Sequence, residues 1–265
     1  MIREASIAAE SLYSGLNSLA KANFTQESLY LHAFFGITIG LERMAKLAIL
    51  VETRTRADGR YPTDEELRKK YGHDLIRLFA RVEEIRAEHE EDLEWDLPDR
   101  AIAEKALSIL AGFAKSTRYY NMKMIIGDKG VESQHDPIAA WMAEIGSWAL
   151  ENKYRAHRAQ QDREYADLVE LMIGSRSMVA HIAEDGAPIV SVRDMALRSR
   201  QFPIVQREGT KICVYLARHV SELLWVLATK AQNARADDIP DLGDFFRILH
   251  NDDSYFRRRK TFSII

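Results

Sequence analysis

Two arginines in this chain stand five residues ahead of a histidine: Arg68 before His73 in "RKKYGHDLI", and Arg176 before His181 in "RSMVAH". The two side-chain types are complementary in chemistry. Histidine titrates near neutral pH and so can take the proton of a hydroxyl, while arginine keeps its charge and grips a phosphate with a planar fork as negative charge builds there. Spacing adds a condition. On a straight helix five residues turn through about 500°, which leaves the pair roughly 140° apart. Either the helix ends between the two residues, or a phosphate is held by side chains from two chains, an arrangement that a two-fold dimer supplies.

A spacing this short arises by chance, so context must separate the copies. In the first, Gly72 offers a left-handed helix end and Asp74 a cap for the following helix, so Arg68 and His73 read as part of a helix-to-helix corner. For Arg176 and His181 a catalytic and a structural reading both stay open. Other chemistries are thinner. Glu132 and His135 have the spacing of a di-iron carboxylate site, but one copy between Gly130 and Pro137 reads as a loop. His89 lies in an acidic run with no second histidine at helical spacing, and Cys213 in "ICVYLA" reads as a buried, inert thiol. Glycine-rich phosphate loops are absent from the sequence, and no metal or cofactor is expected.

The elements that must position these residues are helical. Ile7, Leu12, Leu16 and Leu19 mark a first helix, and a second starts near Ser28 and is expected to run to about Val51. Gly36 and Gly40, four apart, open one face of it to close approach by a neighbour. "RTRADGRYPTDEEL" is a loop with an Asp58-Gly59 turn and Thr63 as the cap of a short helix. From His73-Asp74 a helix carries Leu75, Leu78, Phe79, Val82 and Ile85 inward, and an acidic run between Glu83 and Asp96 reads as a solvated helix end and loop. Pro98 and Asp99 open a helix through Lys115. Between Ile138 and about Gly174 lie one long helix or two, with Trp141, Ile145, Trp148, Leu168 and Met172 on apolar faces around the polar middle "ENKYRAHRAQQDREY". "EDGAPIVSVRD" leaves room for a short extended piece, Gly209 is expected to precede a strong helix, and "DLGDFFRIL" gives a last short one. The terminal "YFRRRKTF" is a basic tail.

Composition agrees with this picture. The 265 residues are 46% hydrophobic and 29% charged, with only 13 glycines and 6 prolines to make turns. An all-α fold with about 60% helix or more and no sheet beyond a hairpin is expected. A net charge of -3 gives no global basic field, so contact with nucleic acid must be local. The apolar stretch Leu29 to Leu41 is too short to span a bilayer, and the N-terminus lacks the apolar run of a signal peptide, so a cytoplasmic protein off the membrane is expected.

The pairing of "GLERMAKLAIL" with the corner "KKYGHDLIRLF", and "RSMVAH" later in the chain, resembles the HEPN superfamily. Members are antiparallel helical bundles in which a His-Asp-Leu corner precedes the third core helix, and many are dimeric, metal-independent ribonucleases or toxins of defence systems. The resemblance implies a single helical domain over 1–265, with a core at about 5–90 and a motif helix at about 165–185. It implies Arg176 and His181 as catalytic residues. Ser177, where the family usually has Asn or Asp, is implied as a substrate contact. It further implies a homodimer, RNA as substrate, and an antitoxin-like protein partner. The competing expectation is a non-enzymatic helical module that binds a protein partner or a nucleotide.

Overall fold

The structure, a computed structural model, describes residues 1–56, 59–127, 136–236, 238–259 and 261–264. Helix α1 (Ile2–Leu19) lies antiparallel to α2 (Ser28–Arg56). Three glycines set their separation. A Cβ on Gly36 would stand 2.6 Å from the Ser11 carbonyl oxygen, and one on Gly15 2.6 Å from the Ile37 nitrogen, so the two backbones touch where no side chain intervenes. The close approach expected of Gly36 and Gly40 is thus made to α1. Helix α2 outruns its expected end at Val51, because Thr53 and Thr55 bond back to the carbonyls of Ile49 and Val51 and Arg56 pairs with the buried Glu52.

Helix α3 (Asp64–Lys70) starts at a reciprocal cap between Thr63 and Glu66 and is followed by α4 (Leu75–Glu88) and α5 (Arg100–Lys115). All five expected inward residues of α4 are buried. After α6 (Tyr120–Ile125), α7 (Pro137–Trp141) continues through a π turn, Met142–Gly146, into α8 (Ser147–Lys153). The chain turns at Tyr154 and α9 runs over Ala156–Ile173, so the expected one or two helices are two. Strands β1 (His181–Ile182) and β2 (Pro188–Ile189) form an antiparallel hairpin, with His181 opposite Ile189. Helix α10 (Val192–Asn233) follows, then a 3-10 segment, Asp244–His250, and α11 (Asp253–Arg258).

The fold is all-α, 75% helical, with the hairpin as its only sheet among the described residues. Helix α10 packs on α2, α5, α8 and α9. Its most apolar window meets the length and composition of a membrane span, yet 83% of that window is buried inside the protein. Gly209 does not start this helix; it lies inside it. The missing side chain is what lets the indole of the fully buried Trp141 pack there, since a Cβ would stand 3.0 Å from its Cζ2. One apolar cluster runs from Ala5 through α10 to Phe262, and a small second one joins Phe24, Ala183 and Ile189 beneath the hairpin.

Candidate functional site

Helix α9 stops at Ile173. One 3-10 turn, Gly174–Arg176, carries the chain out of it, and Ser177 is already extended. Arg176 therefore closes the turn and His181 opens β1, so the helix ends ahead of the pair rather than between its members. Arg176, Ser177 and His181 are all exposed. No hydrogen bond or ion pair engages the side chains of Arg176 or His181 among the described residues. The imidazole rests edge-on against Phe24, with ring centroids 5.6 Å apart, and Phe24 in turn packs on Phe202 of α10. The hairpin is thereby fastened to the body of the protein while both polar groups face outward.

Apolar side chains surround this segment in solvent. Leu171 is 82% and Met178 96% exposed, and Met172, Ile173, Ile182 and Val190 are exposed with them. Leu168 and Met172, expected to face inward from their spacing, point to solvent instead; α9 buries only Asp162 and Ala166. A run of large apolar residues left uncovered is the mark of a surface that meets something else.

Three residues beyond His181 the chain dips inward. Glu184 is buried and accepts a hydrogen bond from the Tyr30 hydroxyl at 3.2 Å, and that hydroxyl accepts one from Gln206 Nε2 at 2.6 Å. Burial raises the Glu184 carboxyl above the ordinary carboxylate range. Its other oxygen has no hydrogen-bond partner among the described residues, and through Tyr30 and Gln206 the hairpin is anchored on α2 and α10. A second buried network ties α4 to α10. Arg86 donates to Glu222, to the His219 carbonyl and to the Trp95 carbonyl, and Glu222 accepts from the backbone amides of Glu94 and Trp95. Neither network has a sequence signature, because each joins residues more than a hundred positions apart.

The other arginine–histidine copy is structural in its surroundings. Gly72 adopts φ +53° after α3, and Asp74 caps α4 by accepting from the amides of Ile76 and Arg77. His73 contacts the Glu42 carboxylate at 2.8 Å rather than open backbone groups, and its side chain is 85% exposed. Among the described residues no cluster of three or more histidines, cysteines or carboxylates could hold a metal ion. Cys213 is buried and burial pushes its thiol up, far from a reactive thiolate. Glu132, His135 and Asp58 lie outside the described residues, as does Lys260 of the basic tail. No family model, curated protein or solved structure matches this chain.

Proposed function

We propose that this protein is a metal-independent endoribonuclease of the HEPN kind, with Arg176 and His181 as its catalytic pair. The observation that carries the reading is the placement of both residues in solvent, with no hydrogen bond or ion pair to either side chain among the described residues, on a segment ringed by uncovered apolar side chains.

The chemistry needs a base and a cation. His181 takes the proton from a ribose 2′-hydroxyl, the freed oxygen attacks the adjacent phosphorus, and the bond to the 5′-oxygen breaks, leaving a 2′,3′-cyclic phosphate. The 5′-oxygen takes up a proton from the imidazolium or from water. Arg176 binds the phosphate oxygens as charge accumulates on them, and the Ser177 hydroxyl offers one more hydrogen bond to the same backbone. Pairing through the apolar surface brings two such segments together, so that one phosphate meets groups from both copies.

Arg176→Ala and His181→Ala should each lower cleavage of single-stranded RNA at least about a hundredfold, the usual scale of general-base removal. Cleavage by the parent should persist in a chelator and leave cyclic phosphate ends. Arg176→Ala should leave the melting temperature unchanged, and His181→Ala, which loses the ring contact with Phe24, should lower it only slightly. Cleavage that depends on added magnesium, or that survives both substitutions, favours the other reading: a non-enzymatic module whose apolar surface receives a protein partner such as an antitoxin.

A further inference from the structure

The start of α9 and the middle of α10 enclose a hollow of ≈ 440 Å³ whose lining includes Lys153, Arg155, Arg158, Arg200 and Arg207, and no carboxylate. A second hollow of ≈ 470 Å³ shares Pro203 and Arg207 with it and adds Lys21, Lys211 and Arg259 beside the apolar Val214, Phe256 and Phe262. In a chain with a net charge of -3, this is a concentrated positive zone.

The arginines are held in place from below. Asp162, 1% exposed, accepts from Arg158 Nε at 3.0 Å and from Arg200 Nε at 2.9 Å, with the Tyr154 hydroxyl as a third donor at 2.8 Å. Glu208, 3% exposed, accepts from Arg207 Nε at 2.9 Å in the same manner. Each guanidinium is thus fixed through Nε, while its two terminal nitrogens make no hydrogen bond among the described residues. A buried carboxylate that orients an arginine and leaves its fork pointing at an open hollow prepares a site for a doubly oxygenated anion. Arg155, just before the start of α9, completes the same rim.

We infer that the two joined hollows form a groove for the phosphodiester backbone of single-stranded nucleic acid. A single phosphate would meet only a fraction of these cations, whereas a polyanion running through both hollows meets them in succession. The parts of Phe256 and Phe262 that stay exposed in the second hollow give a base an apolar wall to lie against next to the phosphates, which an acidic peptide does not need and a duplex cannot use. The groove is distinct from the segment carrying Arg176. Neither Arg176 nor His181 lines either hollow, so the inference stands whether or not these two residues cleave RNA.

The test uses a labelled 2′-O-methyl oligonucleotide of about 16 nucleotides, the upper range of single-strand site sizes. It carries the phosphates but no free 2′-hydroxyl, so binding is read apart from cleavage. Lys153→Gln combined with Arg155→Gln should weaken binding at least about tenfold. It should also flatten the dependence of log affinity on log salt by about 1.4, or about 0.7 for each lost phosphate contact. Arg155→Gln alone, whose side chain has no ion pair or hydrogen bond in the described fold, should give about half that slope change and serves if the double variant melts early. Lys105→Gln on α5, which lines neither hollow, should bind as the parent does. Unchanged affinity and slope in the Lys153 and Arg155 variants would overturn the groove. So would a parent that binds poly-glutamate or anionic phospholipid vesicles but not the oligonucleotide.

Discussion

At the scale of single residues, the corner between α3 and α4 shows how a catalytic-looking spacing dissolves into local structure. Gly72 takes φ +53°, where a side chain meets steric conflict, and the Asp74 carboxylate satisfies two amides that α4 leaves open. His73 has only the exposed contact with Glu42, and an ion pair of that kind contributes little. Gly72→Val should therefore cost about 1–2 kcal/mol, the penalty of the left-handed region for a side chain. Asp74→Ala should cost about 1 kcal/mol as a lost cap. His73→Ala should fall below both. Urea denaturation of the three variants gives this order, and a His73→Ala cost as large as that of Gly72→Val would mean the histidine is part of the corner's framework. Arg176 and His181 offer no such local explanation, which is why the functional reading rests on them.

At the scale of elements, α4 is joined to α10 by charge as well as by apolar packing. The Glu83 carboxyl accepts from His219 Nε2 at 2.9 Å, and its pKa is held down to about 2 from 4.5 by that hydrogen bond, against a burial effect of opposite sign and with help from Arg100. Its folded pKa lies below its unfolded value, so the contact contributes fully above pH 4.5 and is lost as pH falls toward 2. Glu83→Gln should then lower stability by about 1 kcal/mol at neutral pH, a modest figure because the carboxylate is partly exposed. The difference from the parent should shrink between pH 4.5 and 2 in denaturation curves taken across that range. A gap that stays constant with pH would show that ionisation of Glu83 is not coupled to folding. Much of α4 was legible in advance, because Leu75, Leu78, Phe79, Val82 and Ile85 repeat at helical spacing and a helix so marked has one face to bury. Its polar ties were not, since Glu83 and Arg86 find partners 136 residues away. Gly209 misleads for a related reason. Glycine ordinarily weakens a helix, so it reads as a boundary, whereas here the packing of Trp141 against it outweighs the propensity. The arginine groove was equally hidden, its cations being split between the ends of α8 and α9 and the middle of α10 and looking in sequence like a solvated polar stretch.

At the scale of the whole molecule, two surfaces ask for something outside the chain: the basic groove at one end of α9 and the apolar field at the other. The second bears on assembly. The spacing of Arg176 and His181 already called for either a helix break or a second chain, and the structure supplies the break at Ile173 while neither side chain makes a hydrogen bond or ion pair among the described residues. Leu171, Met172 and Ile173 precede the pair, Met178 lies between its members and Ile182 follows it, so a second copy that covers these residues also brings its own Arg176 and His181 into the neighbourhood. Burying side chains of this size supports association at about 1.5–3 kcal/mol each, which a carboxylate placed among them would reverse. The protein should accordingly be a dimer at micromolar concentration in light scattering. Leu171→Asp together with Met178→Asp should give a monomer of unchanged helicity, because both side chains are already in solvent and support nothing in the single chain. RNA cleavage should fall with the loss of the dimer, at least about tenfold, while binding of the 2′-O-methyl oligonucleotide to the groove, whose lining includes neither Leu171 nor Met178, should decline far less. A variant that is fully monomeric and cleaves as well as the parent would place all of the required groups on one chain and end the two-copy account of the site.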